Sequence, residues 1–263
     1  MESRITKKFK ELKSNNQKAL ITYITCGDPD LDTTIDLVLA MEKAGADIIE
    51  LGIPYSDPLA DGPTIQRASQ RALNSGTNID SIFEMLSKLR KNTDIPIAFL
   101  LYYNSIFAYG IEEFLNKFSG SVDGLIIPDL PLEERKELQE LLENHPIDLI
   151  PLVAPTSEDR IKEIVKATDG FIYCISSLGV TGKREKFNLD LKYFINKIKN
   201  HTDTPTAIGF GISNEKNVKT LKDFADGLIV GSTIVEKIEE SIQTNNNVIK
   251  NVYEFVNRLK EAF

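Results

Sequence analysis

Two histidines and two cysteines are all that the 263 residues offer of the side chains most used for zinc binding and nucleophilic triads. His145 precedes Pro146 and His201 sits in H-T-D-T-P, so both fall in connectors. Without a central histidine, a triad and most His-based zinc sites are disfavoured. Acid–base work then falls to Asp, Glu, Tyr or Lys. Cys26 and Cys174 are far apart and no C-x-x-C occurs, so neither a disulfide framework nor a zinc site is suggested. Long apolar runs are missing too. The longest, Pro96 to Tyr103 (P-I-A-F-L-L-Y-Y), is too short to span a bilayer. An excess of positive charge is likewise absent: 31 basic against 39 acidic residues give −8, which argues against a nucleic-acid or anionic-membrane binder. A small anionic substrate stays compatible, because backbone amides and helix ends hold phosphate whatever the net charge. A soluble protein of the reducing cytoplasm is expected.

Apolar residues make up 41% and charged residues 27%, ordinary for a globular protein with a real core. Short β-branched apolar stretches recur at 19–25, 46–53, 95–101, 123–127, 148–153, 170–175, 205–210 and 226–230. Amphipathic helical patterns such as L-D-T-T-I-D-L-V-L-A-M-E-K-A lie between them. Near-continuous apolar strands imply burial on both faces, hence a parallel sheet. Eight strand–helix units in about 250 residues is the measure of one α/β (β/α)8 TIM barrel. A doubly wound sheet is the runner-up, but the first strand ends T-C-G-D-P-D with no G-x-G-x-x-G. The basic N-terminus places Ile5, Phe9 and Leu12 on one helical face, so an extra leading helix is expected. A polar break, Q-T-N-N-N, precedes an extra C-terminal helix. No linker or low-complexity segment interrupts the pattern, so residues 1–263 read as one barrel domain.

Barrel chemistry gathers at the C-terminal ends of the strands. Those positions hold Thr25, Glu50, Tyr102, Asp129 and Tyr173. Glu50 opens E-L-G-I-P-Y-S-D-P-L-A-D-G-P-T-I-Q, a stiff proline-rich loop carrying Asp57 and Asp61. A carboxylate in the last turn of a barrel strand meets apolar walls that raise its pKa and suit it to acid–base work. The alternative is a buried Glu paired with Lys or Arg, and no basic residue lies nearby in sequence. Asp57, in S-D-P, reads as turn chemistry. Asp61 precedes Gly62 and reads as a turn apex reaching over the mouth. Glycines in G-V-T-G (179–182), G-F-G (209–211) and G-S (231–232) converge on one corner, where barrels frequently hold phosphate. The segment 176–187 resembles a lid, although its charge run equally suits a solvated loop face.

L-G-I-P-Y-S-D-P-L-A-D-G-P-T-I-Q, with T-C-G-D-P, Y-Y-N-S-I-F, P-D-L-P-L-E-E, Y-C-I-S-S-L-G-V-T-G and G-F-G-I-S, resembles the tryptophan synthase α subunit family over essentially the whole chain. The resemblance implies a retro-aldol lyase that cleaves indole-3-glycerol phosphate to indole and glyceraldehyde 3-phosphate. It makes Glu50 the proton donor and Asp61 the acceptor for the ring N–H. It places phosphate at Gly182, Gly211, Gly231 and Ser232, with Phe210 beside it. Tyr23, Leu100, Ile126 and Tyr173 match positions lining the indole pocket, Tyr102 joins the substrate-binding set, and Thr181 matches a lid threonine that helps position Asp61. Asp57, Pro58, Asn104, Asp129 and Pro131 resemble loops facing the family's partner, a pyridoxal-phosphate β subunit in an αββα heterotetramer. No cofactor and no metal are implied in this chain.

Other readings stay open at the level of sequence. An indole-3-glycerol phosphate synthase would need a strand-end Lys, and the lysines here fall in helices and loops. A stand-alone lyase releasing free indole, or a catalytically silent phosphate-binding regulatory subunit, uses the same barrel.

Overall fold

The computed structural model describes residues 2–166, 168–175, 184–209 and 211–263. Its strands are β1 (Ala19–Thr25), β2 (Ile48–Gly52), β3 (Ile97–Leu100), β4 (Gly124–Ile126), β5 (Asp148–Ile150), β6 (Leu152–Val153), β7 (Ile172–Ile175), β8 (Thr206–Gly209) and β9 (Gly227–Val230). All pair in parallel in the order β5-β4-β3-β2-β1-β9-β8-β7-β6. Nine strands stand where the sequence suggests eight, because the segment 148–153 is divided at Pro151. A proline has no N–H to give to a ladder. Its carbonyl still accepts from Tyr173 N at 2.9 Å. One half of the segment pairs with β4 and the other with β7, so the two ends of the sheet are one stretch of chain and the barrel closes through it.

Alternation along the strands sorts the core. Inward residues, among them Ile21, Ile48, Ala98, Ile126 and Ala207, form one cluster. Outward residues, among them Leu20, Ile49, Leu51, Phe99 and Leu228, pack under the surrounding helices. Burial on both faces explains why the strands read as nearly continuous apolar runs. The leading helix Arg4–Ser14 starts where Ser3 accepts from Thr6 N. It drives Ile5, Phe9 and Leu12 into the inward cluster, closing the end opposite the loops that follow the strands. Each such side chain contributes about 1.5–3 kcal/mol by leaving water. The last helix, Val248–Lys260, buries Val252, Phe255, Val256 and Leu259.

Two helices, not one, follow β2: Pro63–Asn74 and Ile79–Leu89. The proline-rich stretch that reads as loop through Gln66 therefore ends inside the first turn of a helix, with Pro63 at its first position, where a missing N–H costs nothing. Ile65 and Ala68 of this helix pack on Tyr23, Leu100 and Val235, so it lies against the barrel mouth. Among the described residues no helix is long and apolar enough to cross a membrane.

Candidate active site

Glu50 lies in the middle of β2, not in its last turn as the sequence suggests, beside Tyr23 on β1 and Ala98 on β3. Its side chain takes the inward face of the barrel and is 1% exposed. Among the described residues its Oε2 has no hydrogen-bond partner, so the alternative of a Glu neutralised by Lys or Arg is not what is found there. Burial pushes its carboxyl up to about 8, and the charge of Asp61 adds to the shift. A carboxyl raised so far favours its protonated form at neutral pH.

Asp61 sits half-buried on the loop before helix Pro63–Asn74. Its backbone is held twice: its N–H donates to Pro58 O at 3.1 Å, and Gln66 Nε2 donates to its carbonyl at 2.9 Å. Burial raises its pKa, while a hydrogen bond from Tyr102 opposes the rise by favouring the ionised form. Burial thus raises both carboxyls, and at Asp61 alone a neighbouring hydroxyl favours the ionised form.

Tyr102 follows β3 and holds the acidic loop. Its hydroxyl accepts from Ala60 N at 2.8 Å, and its ring stacks on Tyr55 at 4.9 Å between centroids. The loop residues that read as stiff because of proline are therefore also tied to a neighbouring strand end.

Two other tyrosines shape the interior wall. The Tyr23 ring lies over Gly52, where a Cβ would come within 2.1 Å of its hydroxyl oxygen; a Cβ at Gly209 would lie 2.3 Å from the Tyr173 ring. Glycine at these two positions leaves the space that the rings occupy. Burial raises the pKa of both hydroxyls. Leu100 packs against the cluster that holds Tyr23; Leu100 and Tyr173 each pack against the inward set, and Ile126 is buried in that set.

At the corner after β9, Gly231 precedes helix Ser232–Gln243, and no side chain caps its first turn. Amide donors and the positive end of the helix dipole remain there for an anion. Gly211 is exposed and adopts φ +77°, with open space where a Cβ would stand, a conformation that favours glycine. Thr181, Gly182 and Phe210 lie outside the described residues.

The outer rim carries the remaining sequence candidates. Asp57 is exposed and accepts from Ser56 Oγ at 2.7 Å. Pro58 accepts the Asp61 amide already described. Asn104 donates to the Tyr55 hydroxyl at 3.2 Å, Asp129 accepts from Tyr103 N at 2.9 Å, and Pro131 precedes the short turn Leu132–Glu134. Between them opens a cleft of about 400 Å³ lined by Tyr55, Asp57, Leu59, Tyr102, Pro128 and Asp129. Leu59 is 95% exposed and Phe107, one turn beyond Asn104, is 66% exposed, an apolar rim beside the acids. No cluster able to hold a metal ion occurs among the described residues.

Sequence reasoning missed three things. It did not give Gly52 and Gly209 their part in seating the tyrosines, it did not foresee Tyr102 as the holder of the Asp61 loop, and it left Asp28 and Arg71 without a role. The T-C-G-D-P motif was the one local signal for Asp28.

A closed parallel barrel, with a buried glutamate on its inner wall and a half-buried aspartate on the loop that follows the same strand, has the architecture of the (β/α)8 class. Comparison with known proteins narrows the class. A family model described as tryptophan synthase alpha chain matches residues 9–263. The tryptophan synthase alpha chain of Alkaliphilus metalliredigens is 60% identical over 98% of this chain and 99% of its own, and that of Thermoanaerobacter sp. is 55% identical over 99% of each. The crystal structure of tryptophan synthase subunit alpha from Legionella pneumophila superposes with a TM-score of 0.92 at 32% identity, covering 100% of this chain and 98% of that one. The chain belongs to the tryptophan synthase alpha chain family, lyases of tryptophan biosynthesis.

Proposed function

We propose that this chain cleaves indole-3-glycerol phosphate to indole and glyceraldehyde 3-phosphate, with Glu50 and Asp61 as its catalytic residues. The observation that carries the reading is the buried Glu50 carboxyl, whose Oε2 has no hydrogen-bond partner among the described residues and which burial holds up to about 8. The indole carbon that bears the side chain must gain a proton before it can leave. Glu50 donates that proton, which makes the ring cationic. The carbon–carbon bond then breaks, and its electron pair returns to the ring and restores aromaticity. The neighbouring hydroxyl gives its proton to the Glu50 carboxylate and becomes the aldehyde, so protons and electrons balance. Asp61, whose ionised form Tyr102 favours against the effect of burial, accepts a hydrogen bond from the ring N–H and stabilises the positive charge as it develops. Tyr23, Leu100, Ile126 and Tyr173 enclose the ring. Gly211, Gly231 and Ser232 bind the phosphate at the helix end.

No cofactor takes part in these steps, each of which uses side chains of this chain. The partner is a pyridoxal-phosphate β subunit in an αββα heterotetramer of the cytoplasm, docked on the rim of Asp57, Pro58, Asn104, Asp129 and Pro131. In support, a neighbour of this fold is a tryptophan synthase of M. tuberculosis in an aminoacrylate-bound form, 29% identical with a TM-score of 0.85 over 99% of each chain. The exposed Leu59 and Phe107 give a partner apolar surface to cover. The test is indole release from indole-3-glycerol phosphate, with and without a β subunit. Turnover that rises with the β subunit is expected; no turnover in either case overturns the assignment.

A further inference from the structure

Helix Pro63–Asn74 and helix Ser232–Gln243 are joined by a ladder of polar contacts that the mechanism above does not use. Thr64, Arg67 and Arg71 lie at i, i+3 and i+7, one face of a helix. Opposite them stand Glu236 and Glu239, spaced i and i+3. Thr64 Oγ1 donates to Glu236 at 3.3 Å. Arg67 grips Glu239 with Nε and Nη2 at 2.8 and 2.7 Å. Arg71 reaches the same carboxylate through Nη1 at 2.9 Å. Its other nitrogens, Nε and Nη2, each donate at 2.8 Å to Asp28, in the loop after β1. Beneath the ladder, the small side chain of Ala68 and those of Ile65 and Val235 bring the two helices together.

Stability alone does not account for these contacts. Arg67 is 53% exposed, and exposed pairs of that kind contribute little to stability. Asp28 is 0% exposed on its side chain, and burial raises its pKa even with the Arg71 guanidinium against it. A buried pair of this sort adds little net stability but fixes geometry. What the ladder fixes is evident from the two helix starts. Asp61 is bound to the first helix through Gly62 and Pro63 and by the Gln66 hydrogen bond. Ser232 begins the second.

We infer that Arg71 and Glu239 form a clasp that sets the position of Asp61 relative to the phosphate-binding end of helix Ser232–Gln243. The inference rests on the function proposed above. Substrate must meet Asp61 with its ring and Ser232 with its phosphate at the same time. An error of about 1 Å between such groups can cost about a hundredfold in rate. Arg71 and Glu239 are on this account positioning residues, acting through Asp61 without touching substrate.

The test is a double-mutant cycle on indole release from indole-3-glycerol phosphate. Glu239→Gln keeps the side-chain volume and leaves the Arg71–Asp28 pair intact, so it is expected to fold. In the parent chain it should lower kcat about tenfold while KM changes less than about threefold, an intermediate fraction of the misplacement cost. In an Asp61→Asn background the same change should lower kcat less than about twofold, because the group being positioned is gone. Arg71→Lys keeps the charge but loses the two-sided fork, and should repeat this pattern. Equal losses in both backgrounds, or no loss in the parent, overturn the clasp while leaving the proposed reaction intact. A parent chain without turnover overturns both.

Discussion

Tyr102 holds Ala60, the residue before Asp61: its hydroxyl accepts the Ala60 amide at 2.8 Å. One side chain thereby fixes the backbone of the acidic loop, and its hydroxyl favours the ionised form of the Asp61 carboxyl. Tyr102→Phe removes the Ala60 contact and that influence. The hydrogen bond to the Ala60 amide contributes about 0.5–1.5 kcal/mol, so kcat for indole release should fall by about two- to tenfold. The pKa of Asp61 should rise, because the hydroxyl that favours its ionised form is lost. The low-pH limb of the kcat/KM profile should then move to higher pH. An unshifted limb would show that Tyr102 does not act on Asp61.

Glu50 makes the fold pH-sensitive in a direction that can be worked out. Its pKa is about 8 in the folded chain against an ordinary 4.5, so between those values the folded state binds the proton that the unfolded state has lost. Stability associated with the protonated group is fully present below pH 4.5 and is lost as pH rises through about 8. The full effect is on the order of 5 kcal/mol. Glu50→Gln should flatten the fall in denaturation midpoint between pH 5 and 9 and leave the variant more stable than the parent at pH 9. Asp148, pushed up to about 6 by burial, should leave a smaller residual slope below pH 6 in the variant. Parallel stability curves for parent and variant would refute the placement of Glu50.

Gly52 is where the Tyr23 ring needs space. Gly52→Ala sets a methyl 2.1 Å from the Tyr23 hydroxyl oxygen, which forces the ring to move. Overpacking of this kind costs about 1–3 kcal/mol, and weaker indole binding should accompany it. Tyr23→Phe in the same chain should restore part of the loss, since the ring carbon next nearest lies at 2.6 Å. Indole binding can be followed by fluorescence, because the chain contains no tryptophan.

The leading helix should matter to stability and little to chemistry. Phe9 is 3% exposed and packs on Phe171 with centroids 5.5 Å apart, at the end of the barrel away from the acids. Phe9→Ala should cost about 3–5 kcal/mol in chemical denaturation, with KM unchanged at temperatures where the chain stays folded.

Much of the architecture was legible because burial on both faces writes itself into the sequence as apolar runs. The helix faces of Ile5, Phe9 and Leu12 and of Val252, Phe255 and Leu259 follow from 3.6-residue periodicity alone. What was not legible is where two elements meet. Pro151 reads as part of one strand until the ladder it must join is known. Pro63 reads as loop because a helix-starting proline and a turn proline look alike without the turn that follows. At the site, Glu50 stood out as a charge at the end of an apolar run, a conflict between neighbours in sequence. Arg71 and Asp28 did not stand out, since an arginine on a helix and an aspartate in a turn are ordinary by themselves. Their relation spans 43 residues and exists only in space.

The most direct test of the account is the pH dependence of kcat/KM for indole release from indole-3-glycerol phosphate, which reports groups on the free enzyme. With Glu50 as the proton donor, the rate should fall above about pH 8 as that carboxyl loses its proton, and Glu50→Gln should be inactive at every pH. A profile that stays level through pH 9, or turnover retained by Glu50→Gln, would contradict it.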